Sequence, residues 1–403
     1  MWFALALLLA QSTDFVTNGL KSLDAKQYDA AVESFTKAVA ADPKDYSAHF
    51  HLALAYSLVG KNAEAIPQYK ATLELKPGLY EAEINLGICL LRVKDPAAAL
   101  TPLREAAAQK PKEFQPAFYV ARALLDTKQL PEAEAGYVTA LSLNQSSAAA
   151  EEGLAQALAL QGKRSEADPH FRKAASLDPS YRDSILQLAS LYEENNQAAE
   201  AMAIYREFPD NPGALEHLSH LLMETGHTED AIPSLEAVVA KSPTAANRVE
   251  LAQAYLDTKH PEKANPLLAQ AVASEPGDYQ LRMFYAKVLR DQRKYAESAP
   301  QFLAASRIKP DVPQPWSELA AVFTIAAQYP EALAALDHVR ALGAETTGHY
   351  YFRAVALDHL HQVKDALANY NKFLEMSQEK SPDEEFIARQ RIRVLEKELG
   401  NRK

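Results

Sequence analysis

The sequence has 403 residues, with 42 lysines and arginines against 53 aspartates and glutamates, a formal net charge of −11 at pH 7. Nucleic-acid binding uses a basic surface, so this charge argues against that class of partner. The single cysteine, Cys89, lies in an apolar stretch, which excludes an intrachain disulfide and indicates a buried side chain. The sequence has only 13 glycines and lacks alternating runs of β-branched residues, so we predict an all-α chain.

Residues 2–10 form an uninterrupted apolar run at the start of the sequence. The run is too short to span a bilayer, which needs about 20 residues. It matches the hydrophobic region of a secretory signal peptide with a cleavage edge at Ala10, although no lysine or arginine precedes it. We therefore expect residues 1–11 to be a signal peptide. The alternative is an apolar lead that folds onto the first repeat.

Residues 28–43 show a helical pattern that the rest of the chain repeats. Ala31, Phe35 and Ala38 fall on one face of a helix, and Asp42-Pro43 ends it because the residue before a proline is pushed out of the α region. The pattern returns every 34 residues, with two shorter steps of 30 and 33 in the second half. The anchor positions of the eleven copies are Ala31, Ala65, Ala99, Ala133, Ala167, Ala201, Ala231, Ala264, Ser298, Ala332 and Ala366.

Three other positions keep the same spacing from each anchor. The residue twelve before it is small: Gly19, Ala53, Gly87, Ala121, Ala155, Ala189, Ser219, Ala252, Ala286, Ala320 and Ala354. The residue four after it is large and apolar or aromatic: Phe35, Tyr69, Leu103, Tyr137, Phe171, Tyr205, Leu235, Leu268, Phe302, Leu336 and Tyr370. The residue twelve after it is proline in seven copies: Pro43, Pro77, Pro111, Pro179, Pro243, Pro276 and Pro310. We predict two helices per copy, which approach closely at the small residues and cannot bury their apolar faces without stacked neighbours.

A 34-residue period with these residues in this order resembles the tetratricopeptide repeat, over roughly residues 12–380. The resemblance implies a right-handed superhelical solenoid of stacked antiparallel helix pairs. It also implies that the first helix of each pair lines a concave groove.

The regular period breaks between the sixth and seventh copies. The step from Ala201 to Ala231 is four residues short of 34, about one helical turn. Pro209 and Pro212 forbid a continuous helix there, so we predict that the second helix of the sixth copy is clipped near Phe208. We accordingly assign residues 12–211 to repeats 1–6 and residues 212–380 to repeats 7–11.

For residues 381–403 we predict a capping helix followed by a polar tail. Pro382 suits the first helical position, and charged residues are frequent along the segment. We expect the apolar side chains of this helix to cover the last repeat while its charges face water. Those side chains are Phe386, Ile387, Val394 and Leu395.

The sequence contains none of the common motifs for nucleotide binding, nucleophilic catalysis or metal binding. The best candidate cluster is His217 and His220 on one helix, with Glu224 a turn further on. Such spacing can hold a metal, but no third strong ligand is evident, so we interpret the cluster as a polar groove wall. We predict no enzymatic activity, no catalytic residues, no metal and no cofactor.

The resemblance selects candidate partner-binding residues, because family members make groove contacts from fixed positions of the first helix. Carried onto this sequence, those positions are Asn85, Arg92, Tyr119, Arg122, Gln156, Gln187, His217, His220, Glu224, Phe284, Lys287, Arg290 and Tyr351. Members that hold a peptide's terminal carboxylate use lysine and asparagine at two of these positions. In the first four copies those positions are apolar, as at Phe50 and Leu54, except for Arg122, so that clamp is absent.

These observations predict a non-enzymatic scaffold that binds a peptide or protein partner in the groove. With the N-terminal run, they favour an exported protein that assists assembly of a bacterial envelope complex, in the periplasm or cell envelope, without a stable membrane span. The alternative is a cytoplasmic adaptor. A less favoured reading is a module that delivers substrate to an enzyme.

Overall fold

The computed structural model describes residues 2–378 and 380–401, with side chains from residue 13 onward and up to residue 400. Helices make up its regular structure, and no strand occurs within these ranges. The chain divides into two compact units, Met1–Tyr205 and Arg206–Lys403, which we describe separately. The predicted all-α architecture of paired helices is confirmed in both.

In the part of the first unit that the structure describes, there are twelve α-helices and a short 3-10 helix, Pro179–Ser184, that precedes α11. The helices are α1 (Trp2–Asp24), α2 (Tyr28–Ala41), α3 (Tyr46–Leu58), α4 (Asn62–Leu75), α5 (Tyr80–Arg92), α6 (Pro96–Gln109), α7 (Phe114–Asp126), α8 (Leu130–Leu143), α9 (Ala148–Leu160), α10 (Arg164–Leu177), α11 (Ile185–Glu194) and α12 (Ala198–Tyr205).

The second unit continues the pattern with eleven α-helices among its described residues. They are α13 (Pro212–Glu224), α14 (Thr228–Lys241), α15 (Ala245–Asp257), α16 (Pro261–Ser274), α17 (Tyr279–Asp291), α18 (Tyr295–Ile308), α19 (Gln314–Ile325), α20 (Tyr329–Ala341), α21 (Thr347–His359), α22 (Val363–Ser377) and α23 (Pro382–Asn401). In both units the odd-numbered helix is the first of a pair, and the even-numbered helix is the second.

Small residues bring the two helices of a pair together, as the sequence predicts. All ten anchor alanines and Ser298 are fully buried, and so are the large side chains four residues later. Gly87 shows how close the approach is, because a Cβ atom there would lie 2.4 Å from the side chain of Leu103. The aromatic or aliphatic side chain of the second helix therefore occupies the space that the small residue leaves open.

Each helix makes extensive contacts only with helices one or two places away in the chain. First helices of neighbouring pairs contact one another, as α3 does with α5 and α5 with α7. No comparable contact joins successive second helices within the ranges that the structure describes. We call the surface that the first helices of each unit form the inner face.

The irregular step in the period corresponds to a shortened helix. Helix α12 has 8 residues and ends at Tyr205, whereas the other second helices of the first unit have 14. Residues 206–211 are not helical, and α13 begins at Pro212. The predicted clipping near Phe208 is confirmed. Phe208 itself is buried.

The prediction for the capping helix is wrong in its choice of buried face. Leu395 is buried, but Phe386, Ile387 and Val394 are 65%, 46% and 43% exposed. The helix packs instead through Ala388, which is fully buried and lies 34 residues after the small residue Ala354. Helix α23 therefore continues the repeat register as a further first helix. Phe386, Ile387 and Val394 do not face the preceding pair and are left exposed.

The N-terminal helix crosses the predicted boundary at residue 11, because α1 runs from Trp2 to Asp24. The side chains of residues 1–12 lie outside the described part of the chain, so the signal-peptide assignment stays a prediction. Among the described residues, no helix combines the length and apolar character that crossing a bilayer requires.

Candidate functional site

The structure brings three of the predicted partner-binding residues together on the inner face of the first unit. Arg92 at the end of α5 and Tyr119 and Arg122 on α7 line one cavity of about 270 Å³. The remaining lining residues are Ile88, Leu91, Phe118 and Asp126. We call this the α5–α7 cavity. It has an apolar wall and a polar rim, as peptide-binding surfaces have.

The two arginines of the α5–α7 cavity have different surroundings. Arg122 Nε donates to both carboxylate oxygens of Asp126, at 3.3 and 3.2 Å. Burial lowers the pKa of Arg122, but the nearby Asp126 carboxylate outweighs this, and the net shift is upward. Arg92 donates only to the amide oxygen of Asn62, at 3.4 Å, and forms no ion pair with a carboxylate in the described part of the chain.

The other predicted residues of the first unit make short-range hydrogen bonds. Gln156 Nε2 on α9 donates to Gln187 Oε1 on α11, and to Glu152 Oε1 one turn earlier, at 3.2 Å each. Asn85 donates to the backbone oxygen of Glu81 within α5. The amide of Gln156 joins neighbouring first helices, and that of Asn85 bonds within its own helix.

In the second unit, His217, His220 and Glu224 lie exposed on α13. His220 Nδ1 is 3.6 Å from Glu224 Oε2, and both side chains are more than half exposed. The residues that the structure describes contain no group of three histidine, cysteine or acidic side chains placed to hold a metal ion. The cluster is a polar part of the inner face.

The remaining predicted residues do not form one site. Phe284 contributes to a cavity of about 340 Å³ with Val249 and Leu281.

Arg290 is paired with Glu318 on the next first helix and with Asp291 beside it. Lys287 is half-buried on α17. Tyr351 packs against Phe373, with ring centroids 5.1 Å apart, and remains partly exposed.

Sequence reasoning missed the residues that make the α5–α7 cavity apolar and partly acidic. Ile88, Leu91, Phe118 and Asp126 occupy the same repeat positions that select the predicted residues in other copies. Those positions were therefore a usable signal. What the sequence did not show is that Asp126 pairs with Arg122 and leaves Arg92 without an acidic partner.

Comparison with known proteins places the repeats in a family. Sequence profiles of the tetratricopeptide repeat match residues 18–78, 58–114 and 249–313, and a second profile of that repeat matches residues 183–213. The protein SLOW GREEN 1, chloroplastic, of Arabidopsis thaliana is 36% identical over 69 residues. That match covers 17% of this chain and spans only 22% of the relative's length.

Solved structures also show partial similarity. One structure of MamA is 24% identical, with a TM-score of 0.39, and the match covers 42% of this chain and 97% of MamA. The structure of YrrB, described as a TPR protein with an unusual peptide-binding site, is 18% identical with a TM-score of 0.40. That match covers 42% of this chain and 88% of YrrB.

Proposed function

This chain is a tetratricopeptide repeat protein, and from that premise we propose that it is a non-enzymatic scaffold. Its inner face binds a peptide or a segment of a partner protein. The observation that supports this most directly is the α5–α7 cavity, where Ile88, Leu91 and Phe118 lie beside the cationic Arg92. Apolar contact area next to a few oriented polar groups is what peptide recognition requires.

The form of the inner face favours an elongated partner over a small molecule. The α5–α7 cavity is open and modest in volume, and a second open cavity of similar size lies at Val249 and Phe284 in the other unit. Small-molecule sites enclose most of the ligand surface in one concave pocket. A peptide can instead place single side chains in shallow cavities such as these.

The proposed cellular role is assembly of a bacterial envelope complex after export. Its support is the apolar run at residues 2–10, which matches the hydrophobic region of a signal peptide. A cytoplasmic adaptor with an apolar N-terminal helix is the alternative. Mass spectrometry of the chain expressed in its own host distinguishes them. Export predicts a mature form that lacks roughly the first ten residues, whereas an intact Met1 on cytoplasmic protein contradicts it.

Selection of peptides from a random library displayed on phage tests the binding function. The selected peptides should lose binding to a Tyr119→Ala and Phe284→Ala double variant, because both side chains lie on the inner face. Val138→Ala is the control, since Val138 is exposed on the second helix α8. If no selected peptide distinguishes the inner-face variant from the control, the inner face is not a peptide-binding surface.

A further inference from the structure

We propose that the α5–α7 cavity recognises an acidic side chain flanked by an apolar side chain within a partner peptide. This inference rests on the proposed function and names the chemistry of one subsite. It depends on three observations: an apolar wall, an arginine without an acidic partner and a tyrosine hydroxyl without a hydrogen-bond partner.

The apolar part of the cavity is preformed. Phe118 is held by edge contacts to Tyr119 and Tyr137, with ring centroids 5.3 and 6.0 Å apart. Ile88 and Leu91 lie on the facing helix, and both remain partly exposed. A leucine-sized side chain of a ligand would remove this surface from water without rearrangement of the cavity wall.

The charges of the cavity leave one cation uncompensated. Arg122 is paired with Asp126, and the Glu152 carboxylate is close enough to act on it as well. Arg92 is exposed, and in the described part of the chain its side chain makes one long hydrogen bond, to the neutral Asn62 side chain. A guanidinium beside apolar surface favours a carboxylate, because the charge-assisted hydrogen bond is stronger there than in bulk water.

Tyr119 supplies a second donor on the same rim. Its side chain is half-buried and lines the cavity with Arg92. The hydroxyl has no hydrogen-bond partner in residues 13–378 and 380–400. A ligand carboxylate with two oxygens can accept from the guanidinium and from the hydroxyl together.

The acidic group is assigned to a side chain and not to a chain terminus. The inner face of the first unit extends beyond the cavity on both sides, since α3 contacts α5 and α9 contacts α7. Leu54 on α3 and Gln156 on α9 lie partly exposed on either side. A partner chain can therefore continue in both directions past the subsite.

Fluorescence anisotropy with labelled nonapeptides on the full-length protein tests this assignment. The probe has the sequence Gly-Ser-Gly-Leu-Asp-Leu-Gly-Ser-Gly, amidated at its C-terminus. Companion peptides replace the central Leu-Asp-Leu by Leu-Asn-Leu, Leu-Lys-Leu or Gly-Asp-Gly. A fifth peptide ends at the aspartate with a free carboxylate. We expect the amidated Leu-Asp-Leu probe to bind most tightly, and its affinity to fall as salt is added.

The variant Arg92→Gln should bind the Leu-Asp-Leu probe with about tenfold lower affinity, the loss typical of one charge-assisted hydrogen bond. Its affinity for the Leu-Asn-Leu probe should be unchanged. Tyr119→Phe should weaken binding of the Leu-Asp-Leu probe by a smaller factor. Lys70→Gln is the matched control, because it removes one positive charge from an exposed position on α4. Circular dichroism spectra of all three variants verify the fold.

Two results would overturn the subsite. One is an equal loss with Arg92→Gln and Lys70→Gln, which would show an effect of net charge alone. The other is tighter binding of the peptide with the free C-terminus, or of the lysine probe. Peptides selected from the phage library that bind elsewhere on the inner face would leave the scaffold function intact while this assignment fails.

Discussion

Single buried alanines set the distance between helices in this chain. Ala65 on α4 has no exposed surface and lies in one core cluster with Ala53 of the preceding first helix and Tyr69 one turn further on. A side chain larger than alanine has no free volume there, since protein interiors are packed as densely as organic crystals. The constraint is steric, which is why it recurs as a residue size at a fixed spacing.

Replacing Ala65 by leucine should therefore overpack the contact and lower the free energy of unfolding by roughly 1–3 kcal/mol. Lys70→Leu is the control, because Lys70 is exposed on the same helix, and its effect should be near zero. Urea denaturation of the two variants and the parent protein measures the difference. A parent-like stability of Ala65→Leu would show that the repeat register is misassigned.

Glu83 makes a pH-dependent contribution to stability. It is buried on α5 and accepts a hydrogen bond of 2.6 Å from Gln109 Nε2. Loss of hydration, followed by repulsion from Glu105, raises the pKa of its carboxyl above the ordinary value. Because the folded state holds the proton more tightly, the stabilising contribution is present below the unfolded pKa of about 4.3 and is lost as pH rises through the folded pKa.

The variant Glu83→Gln should consequently be more stable than the parent protein at pH 7, and this advantage should shrink as the pH falls toward 4. Glutamine can still accept from Gln109 through its amide oxygen. Urea denaturation at pH 7 and pH 4 measures the difference in free energy of unfolding between the variant and the parent protein. Glu132→Gln is the control, because Glu132 is exposed. The same stability difference at pH 7 and pH 4 would contradict the assigned role of ionisation.

At the scale of helices, α23 is attached to the last pair by a charged contact in addition to its apolar face. Arg391 donates from Nε and Nη2 to the two carboxylate oxygens of Asp358, each at 2.7 Å. Asp358 is buried and also accepts from the hydroxyl of Tyr370. The hydrogen bonds to the Asp358 carboxylate raise the pKa of Arg391.

Truncating Arg391 to alanine should leave a buried carboxylate with only the tyrosine donor and destabilise the attachment of α23 by about 1–3 kcal/mol. Amide hydrogen exchange should accelerate within Pro382–Asn401 before it does in α21. Arg393→Ala, two residues away and exposed, is the control. Equal exchange rates in α23 for the two variants would mean that the apolar contacts of Ala388 and Leu395 are enough to hold this helix in place.

The segment between α12 and α13 is the expected first site of proteolysis. Its six residues, 206–211, contain no helix, and Arg206 and Glu207 are exposed. Lys94 is also exposed, but it lies in a tight turn whose amides bond back to the end of α5. Trypsin should therefore cut after Arg206 before it cuts after Lys94. Earlier cleavage after Lys94 would show that residues 206–211 are well protected from the protease.

At the scale of the whole molecule, the repeat pattern could be predicted because it follows from helix geometry and residue size alone. The burial of the anchor alanines follows from residue size, and the end of α12 follows from the prolines that interrupt the helix. The buried face of α23 was predicted wrongly because the apolar residues Phe386 and Ile387 indicate one face of the helix, whereas the 34-residue spacing of Ala388 indicates the other. The α5–α7 cavity could be predicted only in part, since the pairing of Arg122 with Asp126 depends on side-chain conformation.

The restriction of helix contacts to near neighbours in the chain has a consequence for synthesis on the ribosome. Within the described residues, the extensive contacts of a helix pair are made with its neighbours in the chain, so its packing does not depend on a distant part of the nascent chain. At about 5–20 residues per second, a 34-residue repeat emerges in roughly 2–7 s. Helix formation takes about a microsecond. The N-terminal pairs can thus be folded while translation continues, and at any moment only the newest pair presents an uncovered apolar face to chaperones.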